Sequence, residues 1–132
     1  ERDARSYAAV MNAYKLPNEP ADAAKARTRA IDEALVGAAQ VPLETARACA
    51  EVAELAVVVT DKGNTNAVSD GGVAALLAEA ACKGAVYNVH INVTSMSDRS
   101  LGEGLLDESK RVLARTAAAA REVESIIERQ LT

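Results

Sequence analysis

Three polar side chains near the middle of this 132-residue chain could do chemistry: Asp70, Asn88 and Asn92. They lie in the stretch from Gly63 to Asn92, which opens as a polar turn and continues as a long apolar run. A carboxylate fixed at a helix start is a well-oriented acid–base group, and an amide can pair with a ligand. An amide buried in an apolar helix without partners costs about 1–3 kcal/mol. Asn88 and Asn92 therefore need partners, whether from the protein or from a ligand.

Each group also has a structural explanation. Ser69 or Asp70, directly before the apolar run, is placed to cap a helix and to interact favourably with its dipole. Asn88 and Asn92 are one helical turn apart and could form a polar layer between packed helices. Asp70 and Asn88 are five turns apart, so they share a face but stand about 27 Å apart along the axis. They cannot act on one atom within one subunit. Either the two ends of the helix have separate roles, or a second subunit running the other way brings the ends together.

The remaining reactive types are weaker candidates. His90 is the only histidine and points away from the asparagine face. Asn64 and Asn66 suit their turn, and Lys62 suits a helix C-terminus. Cys49 and Cys82 are read as two separate small buried hydrophobes, with no metal-ligand spacing and no expected disulfide. There is no nucleophile–base pair and no phosphate-binding loop.

The elements that must position these groups are helical. Abundant alanine, no Phe or Trp, and Val, Leu and Ile spread among charged residues are a helix-forming composition. Tyr7, Val10, Met11 and Tyr14 recur with helical period over residues 1–15, and Leu16-Pro17 ends that helix. Residues 21–39 predict a second helix with Ile31, Leu35 and Ala38 inward, and with Lys25, Arg29, Asp32 and Glu33 toward water. Gln40-Val41-Pro42 should interrupt it, and a third helix runs from Leu43 to Lys62. That helix carries a stripe of Leu43, Ala46, Ala50, Ala53 and Val57, with Val52 and Val59 beside it. Gly63-Asn64 is expected to stop it in a left-handed conformation. The next helix, to Asn92, is apolar nearly all round, and after a turn at 94–98 the last runs from Leu101 to Leu131. The expectation is an all-α bundle of about five helices, with long central and C-terminal members, forming one domain over residues 1–132. The central helix exceeds what these partners can cover, so either missing sequence or a second subunit should cover it, and homodimerisation is the commoner solution.

Charge narrows the function. A formal net charge of −4 without a basic, aromatic-bearing face argues against nucleic acid. The longest strongly apolar segment, Leu55 to Val59, is far short of a membrane span, so a cytoplasmic protein is expected.

Read as phrases, the chain resembles the formiminotransferase-cyclodeaminase/methenyltetrahydrofolate cyclohydrolase family. The phrases are YAAVMNAYKLP from Tyr7 to Pro17, VPL from Val41 to Leu43, GNTNAVSD from Gly63 to Asp70, VAALL from Val73 to Leu77 and GAVYNVHIN from Gly84 to Asn92. They follow the family's order and spacing and cover essentially all of the chain. One departure is a glycine-rich GGGS-type turn with which family members usually begin, and which has no counterpart here. The resemblance implies a chain lacking about its first third, and a pocket wall that cannot be assigned.

What the resemblance implies is folate one-carbon chemistry in an all-helical dimer. The cyclodeaminase closes 5-formiminotetrahydrofolate to 5,10-methenyltetrahydrofolate with loss of ammonia, and the cyclohydrolase interconverts the methenyl and 10-formyl forms. Both pass through a tetrahedral carbon between N5 and N10, carry positive charge, and need protons moved to and from nitrogen. A fixed carboxylate meets both needs. No metal or prosthetic cofactor is required; a tetrahydrofolate derivative is the substrate. The resemblance makes Asp70 the catalytic candidate and Asn66, Asn88 and Asn92 the substrate-binding ones. Two other readings stay open at this point, a non-catalytic helical interaction domain and a small-molecule-binding module.

Overall fold

Proline 42 decides the architecture, because the chain continues as helix straight through it. The structure, a computed structural model, describes residues 1–131. Among them are four α-helices: α1 (Arg2–Tyr14), α2 (Ala21–Lys62), α3 (Val68–Thr94) and α4 (Glu103–Leu131). Short 3₁₀ turns, Thr65–Ala67 and Arg99–Gly102, introduce α3 and α4. The all-α class stands, with four helices in place of about five, since the two expected on either side of residues 40–42 are one.

A proline inside a helix withholds an N–H from the carbonyl four residues back and normally kinks or breaks the helix. Here the carbonyl is that of Ala38, and Asn92 Nδ2 of α3 reaches it at 3.5 Å. The same amide nitrogen also donates to the Asn88 carbonyl at 2.9 Å. A side chain from the neighbouring helix thus stands in for the missing rung, and α2 runs for 42 residues, about 63 Å.

This long helix is the spine on which α1, α3 and α4 all pack, while α3 and α4 also pack on each other. Its inward residues are small. Ala46, Ala50 and Ala53 are fully buried, as the stripe predicts, and let neighbouring backbones approach closely. Near its C-terminus a Cβ on Gly71 of α3 would lie 2.0 Å from Thr60 Oγ1, so only glycine fits that crossing. Larger core residues collect near the α1 end, where Ile31, Leu35 and Leu43 meet Val89, Val93 and Met96.

Four local expectations change. Gly63 is extended, at φ −82° and ψ −169°, rather than left-handed. Its missing side chain is needed for another reason: a Cβ there would meet the Val59 carbonyl oxygen at 2.2 Å. Asp70 is not a cap, because α3 already starts at Val68 and Ala67 precedes it. The capping of this region falls to Asn64, whose Oδ1 accepts from the Asn66 N–H at 2.9 Å. Val52 and Val59 face outward. Asp32, expected in water, is buried: its two carboxylate oxygens accept from the Ser97 and Asp98 N–H groups at 2.8 and 3.0 Å. The turn after α3 folds back over α2 and covers it.

Candidate functional site

The asparagines of α3 open onto a cleft. It has a volume of about 370 Å³ and lies where α1, α2 and α3 meet. Alanines and Pro42 form its apolar walls, and its polar lining is Asp3, Thr45, Asn88 and Asn92. The helical spacing that put Asn88 and Asn92 on one face is therefore realised. The Asn92 nitrogen is committed to the backbone carbonyls of Ala38 and Asn88, which leaves its carbonyl oxygen as the acceptor available to a ligand. Asn88 offers its whole amide. The Thr45 hydroxyl is turned back to the Val41 carbonyl at 3.4 Å, within its own helix.

Asp3 is the one titratable side chain in this lining, and sequence reasoning missed it. It sits in the first turn of α1, a position with no periodic signature; only the docking of α1 on α2 gives it neighbours. That docking is held at both ends. Arg2 grips Glu44 of α2 with two nitrogens, at 2.5 and 2.9 Å. At the other end Arg27 donates to the Tyr14 carbonyl at 3.1 Å and lies over its ring. The hydrogen bond from Arg2 holds the Glu44 carboxyl below the usual glutamate range, and Arg2 is raised in return.

The other two candidates lie elsewhere. Asn66 and Asp70 are exposed at the N-terminal end of α3, and Asp70 remains about 27 Å along the axis from Asn88. The structure joins Asn88 with Asn92 and separates both from Asp70. His90 is half-buried and is not among the residues that line the cleft. Cys49 is half-buried too, and burial, with the neighbouring Cys82, pushes its thiol up, away from nucleophilic use. Among the described residues no three His, Cys, Asp or Glu side chains converge as metal ligands, and no helix is long and apolar enough to cross a membrane.

The family model described as Formiminotransferase-cyclodeaminase matches residues 1–111. The chain belongs to this family. Within the formiminotransferase-cyclodeaminase family it is 42% identical over 116 residues to a methenyltetrahydrofolate cyclohydrolase of Methylorubrum extorquens, an overlap of 88% of this chain and 56% of that protein. It is 36% identical over 98 residues to the formimidoyltransferase-cyclodeaminase of Rattus norvegicus, covering 74% of this chain and 18% of the rat protein. The fold matches the crystal structure of a formiminotetrahydrofolate cyclodeaminase from Thermotoga maritima with a TM-score of 0.84 at 26% identity, over 99% of this chain and 61% of that one. The chain thus spans little more than half of the bacterial relatives it matches.

Proposed function

We propose that this chain performs folate one-carbon chemistry, either cyclising 5-formiminotetrahydrofolate with release of ammonia or hydrolysing 5,10-methenyltetrahydrofolate to the 10-formyl form. The observation that carries the proposal is the 42% identity to a methenyltetrahydrofolate cyclohydrolase across 88% of the chain. The cleft is compatible with it: apolar walls to take a flat heterocycle, and amides at Asn88 and Asn92 to pair with its polar edge. No prosthetic group is invoked. Two free cysteines suit a reducing cytoplasm.

Asp70 and Asn66 enter this reading through a second copy of the chain. α3 presents an exposed apolar stripe of Val73, Leu77, Tyr87 and Ile91, with the small, exposed Ala80 at its middle. Two such stripes packed antiparallel about Ala80 put residue 70 of one copy level with residue 90 of the other. Asp70 and Asn88 lie on the same flank of the helix, so a two-fold axis perpendicular to it keeps them on one side. The Asp70 carboxylate of one copy would then balance the cationic substrate held by Asn88 and Asn92 of the other.

The test is to follow methenyltetrahydrofolate absorbance with each folate supplied in turn. Turnover of either excludes a non-catalytic interaction domain or a binding module, and the ratio of the two rates assigns the reaction. An inert protein would overturn the proposal.

A further inference from the structure

Asp3 lines the cleft with an exposed carboxylate that nothing in the protein uses. Asp3 sits between two arrangements that would ordinarily occupy it. Its neighbour Arg2 is turned away and committed through both terminal nitrogens to Glu44. The Ser6 hydroxyl, one turn on, donates to the Asp3 backbone carbonyl at 2.8 Å and leaves the side chain alone. Among the described residues no hydrogen bond or ion pair engages the Asp3 carboxylate, yet it lines the cleft with Asn88 and Asn92. The free groups across from it are of one kind. They are the Asn88 amide and the Asn92 oxygen, neutral groups that can orient a ligand but cannot exchange a proton with it. A site built only from them would bind without turning over.

We infer that Asp3 is the catalytic residue that moves the proton in this cleft, an assignment that rests on the folate reading above. In the deamination, the formimino group enters protonated, as the N5–CH=NH2+ amidinium; N10 attacks its carbon, a C–N10 bond forms, and the C=N double bond becomes a single bond as its electrons move to the imino nitrogen. The proton on N10 passes to the Asp3 carboxylate, and the Asp3 acid returns it to the former imino nitrogen. That nitrogen leaves as ammonia with the electrons of its C–N bond, and the methenyl cation remains. In the hydrolysis, water adds to the methenyl carbon and gives a proton to Asp3. Asp3 passes it to N5 as the C–N5 bond breaks toward nitrogen, and the remaining hydroxyl proton goes to solvent as the formyl C=O forms. One carboxylate thus serves as base and then acid. The Arg2 guanidinium, next in sequence, is committed to Glu44 instead.

The experiment compares Asp3→Asn, Asp3→Glu and, as a control for lost charge, the exposed Asp22→Asn, all in the full-length protein. Turnover of both folates and folate binding by calorimetry are measured. Removing a positioned acid–base group should lower kcat about 100-fold or more in Asp3→Asn, with folate affinity and melting temperature little changed. Asp3→Glu should recover part of the rate, and Asp22→Asn should match the parent. Asp3→Asn turning over at the parental rate would overturn the assignment. So would a loss of affinity matching the loss of rate, since Asp3 would then be a binding group. A parent inert toward both folates is a different result; it would overturn the folate reading and Asp3's role together.

Discussion

At the scale of single residues, the informative positions are those where a polar group found an unforeseen partner. Asp32 adjoins Ile31 at the edge of a clear apolar stripe, so periodicity sends it outward. Its burial depends on the path of a turn more than sixty residues later, which no local pattern encodes. A buried carboxylate accepting two backbone N–H groups is a strong tether. Asp32→Ala should therefore cost about 2–3 kcal/mol in urea unfolding, and Asp32→Asn, which keeps an acceptor but loses the charge, should cost less. A change within error for Asp32→Ala would show that the turn holds itself. The asparagines were legible in part. Only half of the reading held: Asn88, expected to be buried, is exposed and its amide has no partner among the described residues, whereas Asn92 is half-buried and one of its partners is the carbonyl vacated by Pro42, fifty residues away. Asp3 stayed hidden because an acidic residue in the first turn of an exposed helix is what any such helix prefers.

At the scale of elements, helix existence and most inward faces were readable, but the junctions were not. The expected break at Pro42 failed because intrinsic propensity was overridden by a neighbouring helix. The expected left-handed Gly63 failed because glycine there answers crowding instead of dihedral need. Crowding also governs the α2–α3 crossing. Gly71→Ala should destabilise the fold by about 1–3 kcal/mol, and combining it with Thr60→Ala, which removes the clashing hydroxyl, should cost less than the two changes added. Strict additivity would place the strain elsewhere. The outer sides of the helices are joined by ion pairs that all start from α2: Arg2–Glu44, Arg47–Glu108 and Arg115–Glu54. Glu44 and Glu108 are held below the usual glutamate range by their arginine hydrogen bonds. Carboxyls lowered in the folded state contribute stability that is present above the ordinary glutamate range and fades as acid protonates them. Both pairs are solvent-facing, so the effect is small. The melting temperature of Glu108→Gln should fall less steeply on acidification than that of the parent, and parallel curves would refute the linkage.

At the scale of the whole molecule, α3 is apolar all round but buried on only one side. Leu76, Leu77, Tyr87 and Ile91 are each more than half exposed, at 67%, 66%, 58% and 61%. An exposed contiguous apolar strip of this length marks an interface. If two copies share it about Ala80, Leu77→Glu should shift sedimentation from dimer to monomer and lower turnover, because Asp70 of each copy would leave the other's cleft. A monomeric parent would rule out that arrangement. The three walls of the cleft are not equally fixed, however. α2 and α3 are knitted into the core along their length, whereas α1 commits only Val10 and Ala13 to it. Detaching α1 therefore uncovers little apolar surface, and its opening free energy should be the lowest of the four helices. The proton-carrying wall of the site is thus also its most readily opened one. A substrate could enter by displacing α1, and its binding energy would go partly into closing that helix over the amides.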